Sequence, residues 1–241
     1  MRAVRFTLIA LAFLFSLATM AQENPPPPWK GEAEAGAIIV SGNNDSESYN
    51  AKAKTEYTIE KNLYAAFGRY LKTNSLGVES ARNWEIGVRY EHQLADYLSV
   101  YVGQKAESDI FNGYLQRDST DAGLKYFLVK TDETKWTLEA GYRYQKTLPT
   151  AGGTLHDNLG RVYSEYNRTL DKTLSFKYWA EYLPNFTEPD AYLANTEASL
   201  NIMLNSIFSL KLAYLLQYQN VPSVSGKYTT TTTTMNLVAK F

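Results

Sequence analysis

At 241 residues, with 24 Lys plus Arg against 25 Asp plus Glu, the chain is almost neutral, which argues against binding to nucleic acid or an anionic surface, since either needs a basic excess. It contains no Cys, so neither a disulfide scaffold nor a lipid-modified Cys anchor is available. Its mean hydropathy of −0.35 is too low for a helical membrane protein, whereas 19 Tyr, 10 Phe and 4 Trp suit strands with one apolar and one polar face.

In chain order, Arg2 and Arg5 precede an apolar run over 6–17, and Ala18-Thr19-Met20-Ala21 offers a cleavage site. This is the anatomy of a secretory signal peptide, so 1–21 are set aside from the fold. The run is also too short for a spanning helix, which needs roughly 20 apolar residues. Residues 22–28 include Pro25, Pro26, Pro27 and Pro28, which cannot join a sheet ladder and read as a stiff spacer. From 29 to 241 no second linker interrupts the pattern, so this stretch is one domain.

Within it the apolar period is two. Ala33, Ala35, Ala37 and Ile39 alternate with Glu32 and Glu34, and Ala51, Ala53, Tyr57 and Ile59 with Lys52, Lys54 and Glu56. Trp84, Ile86, Val88 and Tyr90 oppose Glu85, Arg89 and Glu91, and Leu98, Val100 and Val102 oppose Ser99, Lys105 and Glu107. The pattern continues to Met235, Leu237, Ala239 and Phe241, an aromatic terminus of the kind that closes bacterial outer-membrane barrels. The sidedness of 63–72 and 158–169 stays open, because apolar and charged groups mix there. Short turns are expected at 60–62, 94–96, 131–134, 170–172 and 205–206, and longer loops at 41–46, 73–82, 108–114, 148–157, 184–190 and 220–228. The expectation is an all-β, transmembrane, antiparallel up-and-down β-barrel of about twelve strands, with short periplasmic turns and longer extracellular loops. A soluble sandwich or lipocalin-like barrel alternates too. Repeated strand length, the terminal Phe241, and Tyr or Trp near the ends of the apolar stripes favour the membrane form.

Trp29-Lys30-Gly31-Glu32-Ala33-Glu34-Ala35-Gly36 followed by Ser41-Gly42-Asn43-Asn44-Asp45-Ser46 resembles the opening signature of the salt-induced outer-membrane protein family, the YdiY-like family. Asp109-Ile110-Phe111-Asn112-Gly113, Ala122-Gly123-Leu124-Lys125-Tyr126 and Leu138-Glu139-Ala140-Gly141-Tyr142-Arg143-Tyr144 are similar to its middle, with Arg117 standing for an Arg that follows the Asp-x-Phe segment. The resemblance implies an outer-membrane barrel, porin-like, with a role in salt or osmotic adaptation of the cell envelope. It carries over no catalytic residue and no ligand.

On the polar faces, opposite charges recur four apart: Glu85 with Arg89, Arg117 with Asp121, Glu139 with Arg143, Arg161 with Glu165, and Lys177 with Glu181. Such residues lie roughly 13 Å apart along a strand, so each is expected to pair across strands. Glu85, Arg89, Arg117, Asp121, Glu139, Arg143, Lys177 and Glu181 are the candidates for lining the lumen, either as structural ion pairs or as the wall of a narrow aqueous pore with little preference for either sign. No enzyme is expected. His92 and His156 fall at opposite ends of the barrel, and Ser164, the candidate partner if an outward-facing Ser approaches His156, has no supporting motif. Asp45, Glu47, Asn43 and Asn44 read as a hairpin turn, since their spacing fits no calcium loop. No catalytic, cofactor or metal site is therefore expected. The expected partners are outer-membrane lipid, the barrel-assembly machinery through the strand ending at Phe241, and small polar solutes or ions, with no nucleic acid. A closed barrel that serves as a structural or surface-interaction protein is the alternative.

Overall fold

Alternation alone leaves each strand with unpaired backbone edges, and closing the sheet on itself is the arrangement that removes them. The computed structural model describes residues 28–40, 45–222 and 227–241. The signal-peptide expectation, most of the proline spacer, and Asn43 with Asn44 lie outside the described residues. The strands are β1 (Trp29–Val40), β2 (Ser46–Ile59), β3 (Asn62–Ser75), β4 (Val78–Ala95), β5 (Leu98–Asp109), β6 (Tyr114–Lys130), β7 (Thr134–Pro149), β8 (Leu155–Asp171), β9 (Leu174–Leu183), β10 (Leu193–Met203), β11 (Phe208–Gln219) and β12 (Thr229–Lys240). Each pairs antiparallel with its neighbour in sequence, and β12 returns to β1 to close a twelve-stranded barrel.

The distribution of side chains is the reverse of that in a soluble barrel. Outward residues such as Ile86, Val88 and Leu124 are 61%, 57% and 50% exposed, while the inward Glu139 and Arg143 are 3% and 5% exposed. A continuous apolar exterior of this kind is found on proteins that meet lipid. Aromatic pairs border it at the end that holds the short turns, with centroids 6.0 Å apart for Trp29 and Tyr57, 5.2 Å for Tyr64 and Tyr90, and 5.4 Å for Tyr97 and Tyr126. At the other mouth Tyr182, Tyr192, Tyr218 and Tyr228 form a chain with centroids 5.9, 5.9 and 6.5 Å apart.

Two connections differ from the sequence reading. The expected loop at 73–82 is a two-residue turn, Leu76-Gly77, between β3 and β4. Both residues have positive φ, 51° and 77°, which is the backbone of a tight hairpin. Leucine hides that signal because it is not a residue expected in the left-handed region. The expected loop at 148–157 is shorter as well, because β8 begins at Leu155 and takes His156 into the strand. The open sidedness of 63–72 resolves with Leu63, Ala65, Phe67, Arg69 and Leu71 towards the lumen and Tyr64 and Tyr70 outward.

One packing device fixes the middle of the wall. Tyr101, Gly123, Gly141 and Arg161 stand directly opposite one another on β5, β6, β7 and β8. The 2%-exposed Tyr101 lies flat across both glycines. A Cβ on Gly123 would sit 2.8 Å from the Tyr101 hydroxyl, and one on Gly141 2.7 Å from it. Glycine therefore makes the slot, and the ring fills it.

The seam between β1 and β12 is short. Glu32, Ala33, Glu34 and Ala35 pair with Lys240, Ala239, Val238 and Leu237, and Gly31 and Phe241 exchange backbone hydrogen bonds of 2.6 and 3.0 Å. The Phe241 ring packs directly on Gly31. Among the described residues, 36–40 of β1 pair with β2 but not with β12.

Candidate functional site

Because successive side chains alternate faces, each charged residue of one parity is delivered to the lumen. There they form rows that cross the strands. Glu34, Lys52, Arg69, Glu85, Glu107 and Arg117 are successive direct partners on β1 to β6. The Lys52–Arg69 and Glu85–Glu107 doublets alternate in sign, so each Arg finds an acid: Arg69 to Glu85 at 3.3 Å and Arg117 to Glu107 at 3.5 Å. Lys105 sits between the two acids, 2.6 Å from Glu107 and 3.7 Å from Glu85.

A second network crosses from β4 to β9. Arg89 donates through Nη2 to Glu139 Oε1 at 2.7 Å and through Nη1 to Oε2 at 3.1 Å, a two-point contact. To reach β7 it passes over β5, with its guanidinium 3.9 Å above the Tyr101 ring. Arg161 donates to the same Glu139 at 2.6 Å, to the Tyr101 hydroxyl at 2.9 Å and to Glu181 at 2.7 Å. Arg143 grips Asp121 with two bonds of 2.6 and 2.8 Å and reaches Glu181 at 3.3 Å. Lys125 and Arg89 share Glu91 at 3.0 and 2.6 Å. Groups this shielded from water need such partners, and forked Arg–carboxylate pairs fix geometry as well as charge. The rows are strand-to-strand, and none of the five pairs spaced four apart is bridged within its own strand among the described residues.

The lumen around these networks is divided into cavities. One of about 370 Å³ is lined by Arg89, Glu91, Asp121, Lys125, Glu139, Arg161 and Lys177, among others. Another, of about 180 Å³, lies towards the opposite mouth and includes Arg69, Glu107, Tyr114 and Arg117. The two share Lys52, Glu85, Lys105, Arg143, Trp179 and Glu181 as a common wall. Over the second cavity, Asp109 holds Asn112 by its backbone N–H at 3.0 Å and its amide at 2.7 Å. The Thr230 hydroxyl of β12 donates to Asn112 at 3.3 Å. The loop carrying Asp109-Ile110-Phe111-Asn112-Gly113 thus leans into the mouth and touches the far wall.

All eight residues singled out in the sequence face the lumen: Glu85 and Arg89 from β4, Arg117 and Asp121 from β6, Glu139 and Arg143 from β7, Lys177 and Glu181 from β9. Alternation also carries Lys52, Arg69 and Tyr101 there, together with Trp179, which stacks on Tyr163 with centroids 5.9 Å apart. Parity was the available signal. Tyr101 lies between Ser99 and Lys105 in the polar register, and Trp179 between Lys177 and Glu181. His92 meets Asn62 at 2.9 Å near one end, whereas His156 meets the Tyr144 hydroxyl at 2.6 Å near the other. Ser164 accepts the Trp136 indole N–H at 3.0 Å and has no contact with His156. Glu47 accepts from Tyr49 at 3.3 Å.

The fold is shared with solved outer-membrane channels. The COG4313 outer membrane channel from Pseudomonas putida F1 superposes with a TM-score of 0.54 at 9% identity, covering 92% of this chain and 97% of that one. The NanC porin gives 0.51 at 10% identity, covering 88% and 96%. In sequence, the uncharacterized protein YdiY of Escherichia coli (strain K12) is 27% identical over 213 residues, 87% of this chain and 82% of that protein. The family model described as "Protein of unknown function, DUF481" matches residues 33–241, and the chain belongs to that family.

Proposed function

We propose that the protein is a bacterial outer-membrane barrel whose lumen is a narrow passive pathway for small polar solutes and ions. The observation that carries this reading is the common wall: two polar cavities, one towards each mouth, meet at Lys52, Glu85, Lys105, Arg143, Trp179 and Glu181. The exposed apolar exterior between two aromatic borders supports placement in lipid. Residues 1–21 would direct export, and the strand ending at Phe241 would engage the assembly machinery. A lumen built from ion pairs also suits the salt or osmotic adaptation that the sequence resemblance implies, since added salt weakens partly exposed pairs. Catalysis has little support, because the two histidines occupy opposite ends.

The test is single-channel conductance of the refolded mature chain in planar bilayers, with Arg143→Ala and Glu181→Gln at the common wall. Stable current steps that change size in these variants are expected. A folded barrel that never conducts would overturn the channel reading. It would favour the second reading, a closed structural or surface-interaction barrel, for which the Arg89–Glu139–Arg161 network and the Asn112–Thr230 contact would act as plugs.

A further inference from the structure

We infer that Lys52 is the anion-selecting residue of the lumen and that, with Trp179, it forms a subsite for a carboxylated sugar ring. This rests on the pathway proposed above and departs from a sign-balanced wall. Lys52 lines three lumenal cavities, those of about 180, 90 and 370 Å³, and no other described residue lines all three. Among the described cations that line these cavities it also has the most distant acid. Its acid is Glu34 at 3.8 Å, but Glu34 is already taken by Lys211 at 2.8 Å and by the Asn236 amide at 3.0 Å. Its other neighbour in the row is Arg69, of the same sign. By contrast Arg143, Arg161, Lys105 and Lys125 each have an acid within 3.0 Å. Lys52 remains 41% exposed at its side chain, so its charge faces the open part of the lumen. A cation so placed attracts an anion into the space that the three cavities share along its side chain.

The second half of the subsite stands across the lumen. Trp179 lies on β9, five strands from β2 one way round and seven the other, so the two residues come from nearly opposite walls. Tyr163 stacks on the indole at an interplanar angle of 29°, and the remainder of Trp179 lines the two cavities on either side. An indole face accepts the C–H face of a sugar ring, while fixed polar groups read its substituents. A ring bearing one carboxylate matches an ammonium and an indole that line the same two cavities.

The experiment uses the refolded mature chain in planar bilayers under a KCl gradient, with glucuronate and glucose as probes. We expect a reversal potential of anion-preferring sign, with the anion-to-cation permeability ratio falling about threefold or more in Lys52→Gln. Glucuronate should interrupt the current at concentrations at which glucose does not, and Trp179→Ala should abolish the interruption. Conducting channels whose selectivity is indifferent to Lys52→Gln would overturn the selectivity assignment while leaving the channel standing, and equal block by both sugars would overturn the carboxylate assignment. If the folded protein is electrically silent, the channel reading fails by itself, and the subsite is then read by the part of the tryptophan fluorescence lost in Trp179→Phe. Quenching of that part by glucuronate, absent in Lys52→Gln, would uphold the subsite; its absence in the parent chain would end it.

Discussion

At the scale of single residues, Glu139 and Glu181 are the lumenal acids that each hold two guanidinium groups, and Glu139 is the more shielded of the two. It accepts from Arg89 and Arg161 together while almost wholly shielded from water. Glu139→Gln should lower unfolding stability by about 3 kcal/mol, because two guanidinium groups lose a shared acceptor. Urea titration in lipid vesicles would measure this. The double variant with Arg89→Gln should cost less than the sum of the single ones, and strict additivity would show that the pair is not coupled. Space is equally local. Gly141→Ala places a Cβ 2.5 Å from the Ala122 carbonyl and 2.7 Å from the Tyr101 hydroxyl, whereas at Gly103 the nearest atom is 3.3 Å away. Gly141→Ala should therefore cost about 1–3 kcal/mol and Gly103→Ala distinctly less in the same titration.

At the scale of strands, the alternation of Trp84, Ile86 and Val88 with Glu85 and Arg89 was enough to read the architecture, since a period of two fixes which face each residue takes. What alternation could not supply was partnership beyond the next strand. The Arg89–Glu139 contact crosses two intervening strands, and nothing local to either residue encodes it. Inward aromatics escaped notice for a different reason: Tyr101 and Trp179 look like lipid-facing residues by type, and only their register places them inside. The turn at Leu76 was hidden by its residue type, and that makes it testable. Leu76→Asn would supply a side chain that tolerates positive φ and should stabilise the hairpin by about 0.5 kcal/mol. A fall in the urea midpoint would show that the Leu76 side chain contributes packing that outweighs its backbone strain.

At the scale of the molecule, the exterior and the lumen should respond oppositely to charge. Val88 is 57% exposed on the outer face of β4, above Tyr90. If lipid covers that face, Val88→Lys should cost about 2–4 kcal/mol in vesicles, and a neutral result there would contradict a bilayer around this surface. The wall itself is not uniform around its circumference. Each interior strand is held on both sides along most of its length, but β12 beyond its last partners on β1 is held by β11 alone. In an antiparallel strand alternate amides point to opposite sides, so within 229–236 the amides turned towards β1 lack a ladder acceptor among the described residues. Deuterium should enter these positions first, well before their neighbours turned towards β11, and exchange measured residue by residue would reveal the alternation. The cylinder would then have a grain, parting along one line as it disassembles while the Tyr101 side stays knit to the last.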